Sequence, residues 1–167
     1  MTKIGDDFST GKVFVPEMLM AARCMAAATE YLKPFMTTEG SEVIGRACLG
    51  TVRGDMHDIG KNLVKIMMEG AGIEVIDLGT DVPAEAFVQT AIDRQCDIIA
   101  LSSLLTTSMN NMRDVVKLAE ERGIRDKVKI MIGGAPTSRE FCEEIGADVW
   151  TEDAGAAARS AVELLKT

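Results

Sequence analysis

The chain has 167 residues, 47% of them hydrophobic and 26% charged, which suits one well-filled domain with some added structure and excludes two full domains. A formal net charge of −8 argues against phosphate neutralisation, and 4% aromatics is too few for a base-stacking platform, so nucleic acid is not expected as a partner. No apolar run reaches the roughly 18 residues of a membrane span, and the opening MTKIGDDFST lacks the basic-then-apolar build of a signal peptide, so a cytoplasmic protein is expected.

In chain order, residues 1 to about 37 contain a strongly helical stretch, preceded only by a short piece from Ile4 to Phe8. Pro16 suits a first helical position and Glu17 suits the positive end of the helix dipole. Met18, Ala22, Met25, Thr29 and Leu32 recur at helical spacing, beside a second stripe of Met20, Ala21, Cys24 and Ala28. So broad an apolar surface needs more than one neighbour, and Met18, Met20 and Met25 read as core, lid or partner surface, with the core expected. Lys33-Pro34 stops the helix, and residues 37–44 (TTEGSEVI) look like a linker. The division expected is a partial helical cap with linker over 1–40 and an α/β domain over 41–167.

From Gly45 onward, short apolar runs alternate with amphipathic helices. The strand candidates are Ala47–Val52, Glu74–Leu78, Ile98–Ser102, Lys129–Ile132 and Asp148–Trp150. Helices are expected near 59–71, 84–95, 109–122, 138–145 and 154–166. Such alternation signifies a parallel sheet covered on both faces, and right-handed crossovers make the flavodoxin-like order 2-1-3-4-5 the simplest Rossmann-type topology. Ligands of such sheets bind beyond the carboxyl ends of the strands, at the switch point between strands 1 and 3.

Three loops at that edge carry candidate chemistry. After strand 1 comes Gly54-Asp55-Met56-His57-Asp58-Ile59-Gly60-Lys61, which holds the only histidine of the chain. It reads either as a ligand loop or as a helix start capped by Asp55 or Asp58 with His57 solvated. After strand 3, the run from Ser102 to Ser108 presents hydroxyls at the switch point, or merely a cap from Ser108. After strand 4, Gly133-Gly134 permits close backbone approach to a ligand, or simply a turn. Cys24, Cys48, Cys96 and Cys142 form no CxxC pair, which fits reduced thiols better than a disulfide framework or a zinc site.

Together, Asp55-x-His57-x-x-Gly60, Ser102-x-Leu104 and Gly133-Gly134 resemble the DxHxxG…SxL…GG signature of cobalamin-binding proteins. The resemblance spans essentially the whole chain. It is nearest to the corrinoid proteins of anaerobic methyltransferase systems and the cobalamin module of methionine synthase. Val13-Phe14-Val15-Pro16-Glu17 and the helix behind it resemble the last part of the four-helix cap of those proteins, so the cap is expected to be shortened.

That resemblance implies a cobalamin or related corrinoid, in methylcobalamin, cob(I)alamin and cob(II)alamin states, bound with its own base displaced and His57 as lower axial ligand of cobalt. Asp55 would orient His57, and Ser108 would contact Asp55; these three carry the implied catalytic roles. Met56, Asp58, Ile59, Gly60, Ser102, Leu104, Thr106, Gly133 and Gly134 are the further implied cofactor contacts, with Phe14 as a lid over the methyl face. The implied function is a methyl carrier, not a complete catalyst alone. Its implied partners are a substrate-specific methyltransferase, a second methyltransferase for a folate or thiol acceptor, a reductive activation protein and, through the exposed cap, a second copy of the chain. The alternatives are the cobalamin subunit of an adenosylcobalamin mutase and a cobalamin-dependent sensor.

Overall fold

Residues 2–32 and 43–166 are described by the computed structural model of the protein. Five parallel strands form one sheet in the order β2-β1-β3-β4-β5. They are β1 (Gly45–Val52), β2 (Ile73–Val82), β3 (Ile98–Ser102), β4 (Lys129–Gly133) and β5 (Val149–Thr151). The expected flavodoxin-like topology is the one found.

Side-chain alternation divides the core into two layers, because successive residues of a strand point to opposite faces. Ala47, Leu49, Ile98, Ala100 and Met131 face α3 (Ile59–Gly70) and α7 (Ala154–Leu164). Cys48, Val52, Ile99, Leu101, Ile130 and Ile132 face α4 (Ala84–Asp93), α5 (Asn111–Glu121) and α6 (Arg139–Ile145). On α7 the buried positions Ala154, Ala157, Ala158 and Ala161 are all small, which lets that helix lie close to its neighbours. Lys61 of α3 is almost wholly buried, and its Nζ lies 2.6 Å from Asp77 Oδ1, tying the start of α3 to β2.

Among the described residues, two helices precede the sheet: α1 (Thr2–Ser9), packed on α7, and α2 (Val15–Leu32), packed on α3. Phe14 donates its backbone N–H to Glu17 Oε2 at 3.0 Å, the reciprocal half of a capping box, so α2 begins at Val15 and Pro16 takes the second helical position. Met18 is fully buried, but Met20 (65%) and Met25 (41%) are exposed, contrary to the expectation of a common core. The helix has one face on α3, and these two methionines lie off it. The side chains of Ala22, Thr29 and Leu32, the Lys33-Pro34 stop and most of the 37–44 linker lie outside the described residues.

The largest departure from the expected boundaries is β2, which continues past Leu78 to Val82. Its pairing with β1 slips beside Gly50, where Gly79 (φ 84°) and Asp81 (φ 53°) take left-handed conformations. A side chain at Gly50 would meet the ring of Phe87, 2.8 Å from Cζ, so this part of β1 admits only glycine without repacking. The irregularity lifts the end of β2 beside the loop that follows β1.

Candidate functional site

The chain leaves β1 at Val52, turns at Gly54 (φ 80°) and places Asp55 beneath the carboxyl edge of the sheet. The Asp55 side chain is fully buried and every acceptor direction is used. Its Oδ1 accepts from the His57 backbone N–H at 3.0 Å and lies 2.6 Å from His57 Nδ1. Its Oδ2 accepts from the N–H groups of Leu104 at 2.7 Å and Leu105 at 3.2 Å, and from the Ser108 hydroxyl at 3.1 Å. Ser103 Oγ lies 3.3 Å from the same oxygen and 2.8 Å from Ser108 Oγ. Burial alone would push the carboxyl up. The N–H groups of His57 and Leu104, the His57 ring and the Ser108 hydroxyl outweigh it and hold Asp55 well below the usual carboxylate range.

A carboxylate oxygen only accepts, so Nδ1 of His57 carries a proton, and Nε2 is the ring nitrogen left for a ligand bond. Buried Thr51 fixes the residue from below by donating its hydroxyl to the His57 carbonyl at 2.7 Å. The His57 side chain is 52% exposed. The same two loops expose Met56 (71%), Ile59 (73%), Leu104 and Leu105, so the half-open imidazole has apolar company.

These contacts correct the helix-cap readings. Asp58 occupies the N-cap of α3, but its carboxylate accepts from Asn62 Nδ2 at 3.1 Å and from no helix-end N–H. Asp55 is committed to His57 and the β3 loop. Asn110, not Ser108, stands at the N-cap of α5, and the Ser108 hydroxyl serves Asp55 and the Leu105 carbonyl.

Beside this cluster, a cleft of about 140 Å³ opens between the sheet edge, α3 and α7. Gly60, Ser102, Gly133 and Gly134 line it, together with Thr151, Glu152 and Asp153 at the start of α7. Leu104 and Thr106 are exposed and do not line it; Leu104 contributes its backbone N–H to Asp55 instead. Phe14 is 67% exposed at the start of α2 and belongs to neither the cluster nor the cleft lining. The two glycines differ sharply. At Gly134 (φ 124°) an added Cβ would lie 1.8 Å from the Ser103 carbonyl oxygen, so glycine is demanded there by the protein's own backbone. At Gly133 the nearest atom would be the Thr151 carbonyl oxygen, at 3.3 Å.

Sequence reasoning missed Thr51, Ser103, Leu105 and Asp81, as well as the α7 side of the cleft. Ser103 was legible only as one hydroxyl among several, and the N–H of Leu105 has no sequence signature.

With this geometry in hand, comparison with known proteins is decisive. A family model described as "B12 binding domain" matches residues 45–162, and a second of the same description matches 1–33. The chain belongs to the B12-binding domain family. It is 45% identical over 166 residues to dimethylamine corrinoid protein 3 of Methanosarcina mazei, covering 99% of each chain. Among solved structures, it is similar to the monomethylamine corrinoid protein of Methanosarcina barkeri (38% identity, TM-score 0.71), covering 98% of this chain and 78% of that one. It is also similar to a chain of the methanol:cobalamin methyltransferase complex of the same organism (28% identity, TM-score 0.86), covering 96% of this chain and 61% of that one.

The cofactor of this B12-binding chain is cobalamin or a related corrinoid, and the residues present fit it. Among the described residues, no group of three or more His, Cys, Asp or Glu side chains could hold a bare metal ion. One oriented imidazole suits a metal that brings its own equatorial ligands. No described helix is long and apolar enough to cross a membrane.

Proposed function

We propose that the chain is the corrinoid methyl carrier of a methylamine methyltransferase system. The observation that carries this reading is the Asp55–His57 pair: a buried carboxylate holds Nδ1 and leaves Nε2 as a free ligand atom at the sheet edge. When bound, the corrinoid supplies a cobalt centre able to take up and release a methyl group.

In this reading His57 would hold the cobalt of the corrinoid through Nε2, in place of the cofactor's own base. Asp55 fixes the tautomer and raises the basicity of the ring, while Ser108 and Ser103 hold Asp55 through Oδ2. Met56, Asp58, Ile59, Leu104 and Thr106, on or beside the two loops that build the imidazole site, would contact the corrinoid, and the exposed apolar Met56, Ile59 and Leu104 would exclude water there. The cleft beside Gly60, Ser102, Gly133 and Gly134 receives the displaced nucleotide tail. Phe14, exposed just before α2, would serve as a lid over the methyl face.

As a carrier the chain docks in turn on a substrate-specific methyltransferase and on a second methyltransferase that delivers the group to a folate or thiol acceptor. A reductive activation protein restores the carrier when it is oxidised. The relatives named above favour this reading over a mutase subunit or a sensor. To test it, the reconstituted, reduced chain is incubated with a dimethylamine methyltransferase and a panel of methylamines. Transfer of a methyl group to the carrier, stoichiometric with demethylated amine, is expected. No transfer from any amine would contradict the assignment.

A further inference from the structure

The loop bearing Asp55 and His57 is gripped from the neighbouring strand by Asp81. This residue stands in the irregular extension of β2 with φ 53°, a left-handed conformation that L side chains rarely adopt. Aspartate tolerates it better than most residues. Asp81 Oδ1 accepts the Gly54 N–H at 2.7 Å, and the Asp81 N–H donates to the Asp55 carbonyl at 3.0 Å. One residue thus holds both sides of the Gly54–Asp55 backbone, one with its side chain and the other with its main chain. Gly54 itself is left-handed (φ 80°), and besides Asp81 the turn is held by the Asp55 N–H on the Val52 carbonyl at 3.2 Å and by Asn111 Nδ2 on the Arg53 carbonyl at 2.6 Å. Asp55 must be aimed inward at Leu104, Leu105 and Ser108 while also presenting His57 outward, and the backbone that Asp81 clamps sets both directions.

We propose that Asp81 is a positioning residue for His57: through Gly54 and Asp55 it fixes where the imidazole stands at the sheet edge, and so the strength of the bond His57 makes to a corrinoid cobalt. The proposal rests on the reading of His57 as axial ligand. It goes beyond that reading by placing control of the ligand on a residue that touches neither the imidazole nor the cleft.

Two substitutions separate the side chain from the backbone conformation. Asp81→Gly keeps the left-handed φ and the main-chain hydrogen bond but removes the acceptor for Gly54. Asp81→Asn keeps an acceptor oxygen and a tolerated φ. Wild type and both variants are loaded with cobalamin and reduced to the Co(II) form. The share of molecules showing nitrogen coupling from nitrogen-15 histidine is read by electron paramagnetic resonance, with hydroxocobalamin affinity and apo-protein thermal unfolding alongside.

Expected for Asp81→Gly are a smaller histidine-coupled share and about tenfold weaker binding, because part of the binding energy then goes into ordering the freed turn. The unfolding temperature should stay near that of wild type, and Asp81→Asn should restore the wild-type spectrum. A wild-type histidine-coupled share in Asp81→Gly overturns the proposal while leaving His57 as ligand. Absence of histidine coupling in the wild type overturns the reading of His57 itself, and this inference with it. Amide exchange in the unsubstituted protein gives a test that needs no variant: Gly54 N–H should be protected, and exchange at the free-peptide rate would refute the clamp.

Discussion

Asp55 meets His57 twice through one oxygen: Oδ1 takes the backbone N–H at 3.0 Å and stands 2.6 Å from ring Nδ1. The double contact leaves the imidazole little freedom to rotate, and it commits Nε2 to the open side. The other oxygen, Oδ2, is met by donors alone, which makes the carboxylate hard to replace.

Asp55→Asn tests that last point. If its oxygen takes the Oδ1 position, the amide NH2 faces the N–H groups of Leu104 and Leu105, donor against donor. Loss of about 2 kcal/mol of apo-protein stability is expected, the cost of leaving buried donors unsatisfied. Urea unfolding measures it. The substitution therefore removes more than a charge.

Acid should expose the same dependence. Asp55, and likewise Asp77, where Lys61 and the Gly79 N–H outweigh burial, are held below the ordinary carboxyl value of 3.8. A depressed folded-state value contributes stability that is complete above the unfolded-state value and is lost as pH falls through the folded one. Unfolding midpoints should be flat near neutral pH and fall below about pH 4. Asp55→Asn should make that acid slope shallower; an unchanged slope would contradict the placement of Asp55.

Gly133 and Gly134 should behave differently. Gly134→Ala drives a Cβ into the Ser103 carbonyl at a φ of 124°, so a loss of about 3 kcal/mol in the apo-protein is expected from overpacking and strain. Gly133→Ala meets Thr151 at 3.3 Å and should fold, with weakened corrinoid binding as its main effect. Thermal unfolding and cobalamin titration of both variants distinguish the two roles. The sequence leaves close approach to a ligand and a plain turn open for both glycines, and it is the backbone of Ser103 that separates their roles.

Ser103 and Ser108 should not act independently. Their hydroxyl oxygens are 2.8 Å apart and both approach Asp55 Oδ2. Alanine at either is expected to cost about 1 kcal/mol. The double variant should depart from the sum by at least about 0.5 kcal/mol in a stability cycle, because the pair shares one set of acceptors. Strict additivity would separate them.

Much of this molecule was legible in sequence because its signals are local. Short apolar runs such as Ile98–Ser102 and helical stripes such as Val115, Val116 and Ala119 announce their elements wherever the chain places them. His57 and Asp55 were legible as a pair because they are two residues apart and follow a strand at the ligand edge. What was hidden depends on distant backbone. The extension of β2 through Gly79, Thr80 and Asp81 reads as a turn until β1 pairs with it. The donors from Leu104 and Leu105 are main-chain groups that any residue there would carry. The exposure of Met20 and Met25 is decided by which face of α2 meets α3, and helical spacing alone does not choose between faces.

The central claim is that His57 Nε2 coordinates cobalt. His57 is the only histidine, so nitrogen-15 histidine labels a single imidazole in the chain. The labelled protein is loaded with unlabelled cobalamin, reduced to the Co(II) form and examined by electron paramagnetic resonance. Each superhyperfine triplet of the unlabelled sample should become a doublet, and His57→Ala should abolish the label-dependent change. A triplet that persists in the labelled wild-type protein would mean that the cofactor's own base supplies the axial nitrogen, and would contradict the assignment.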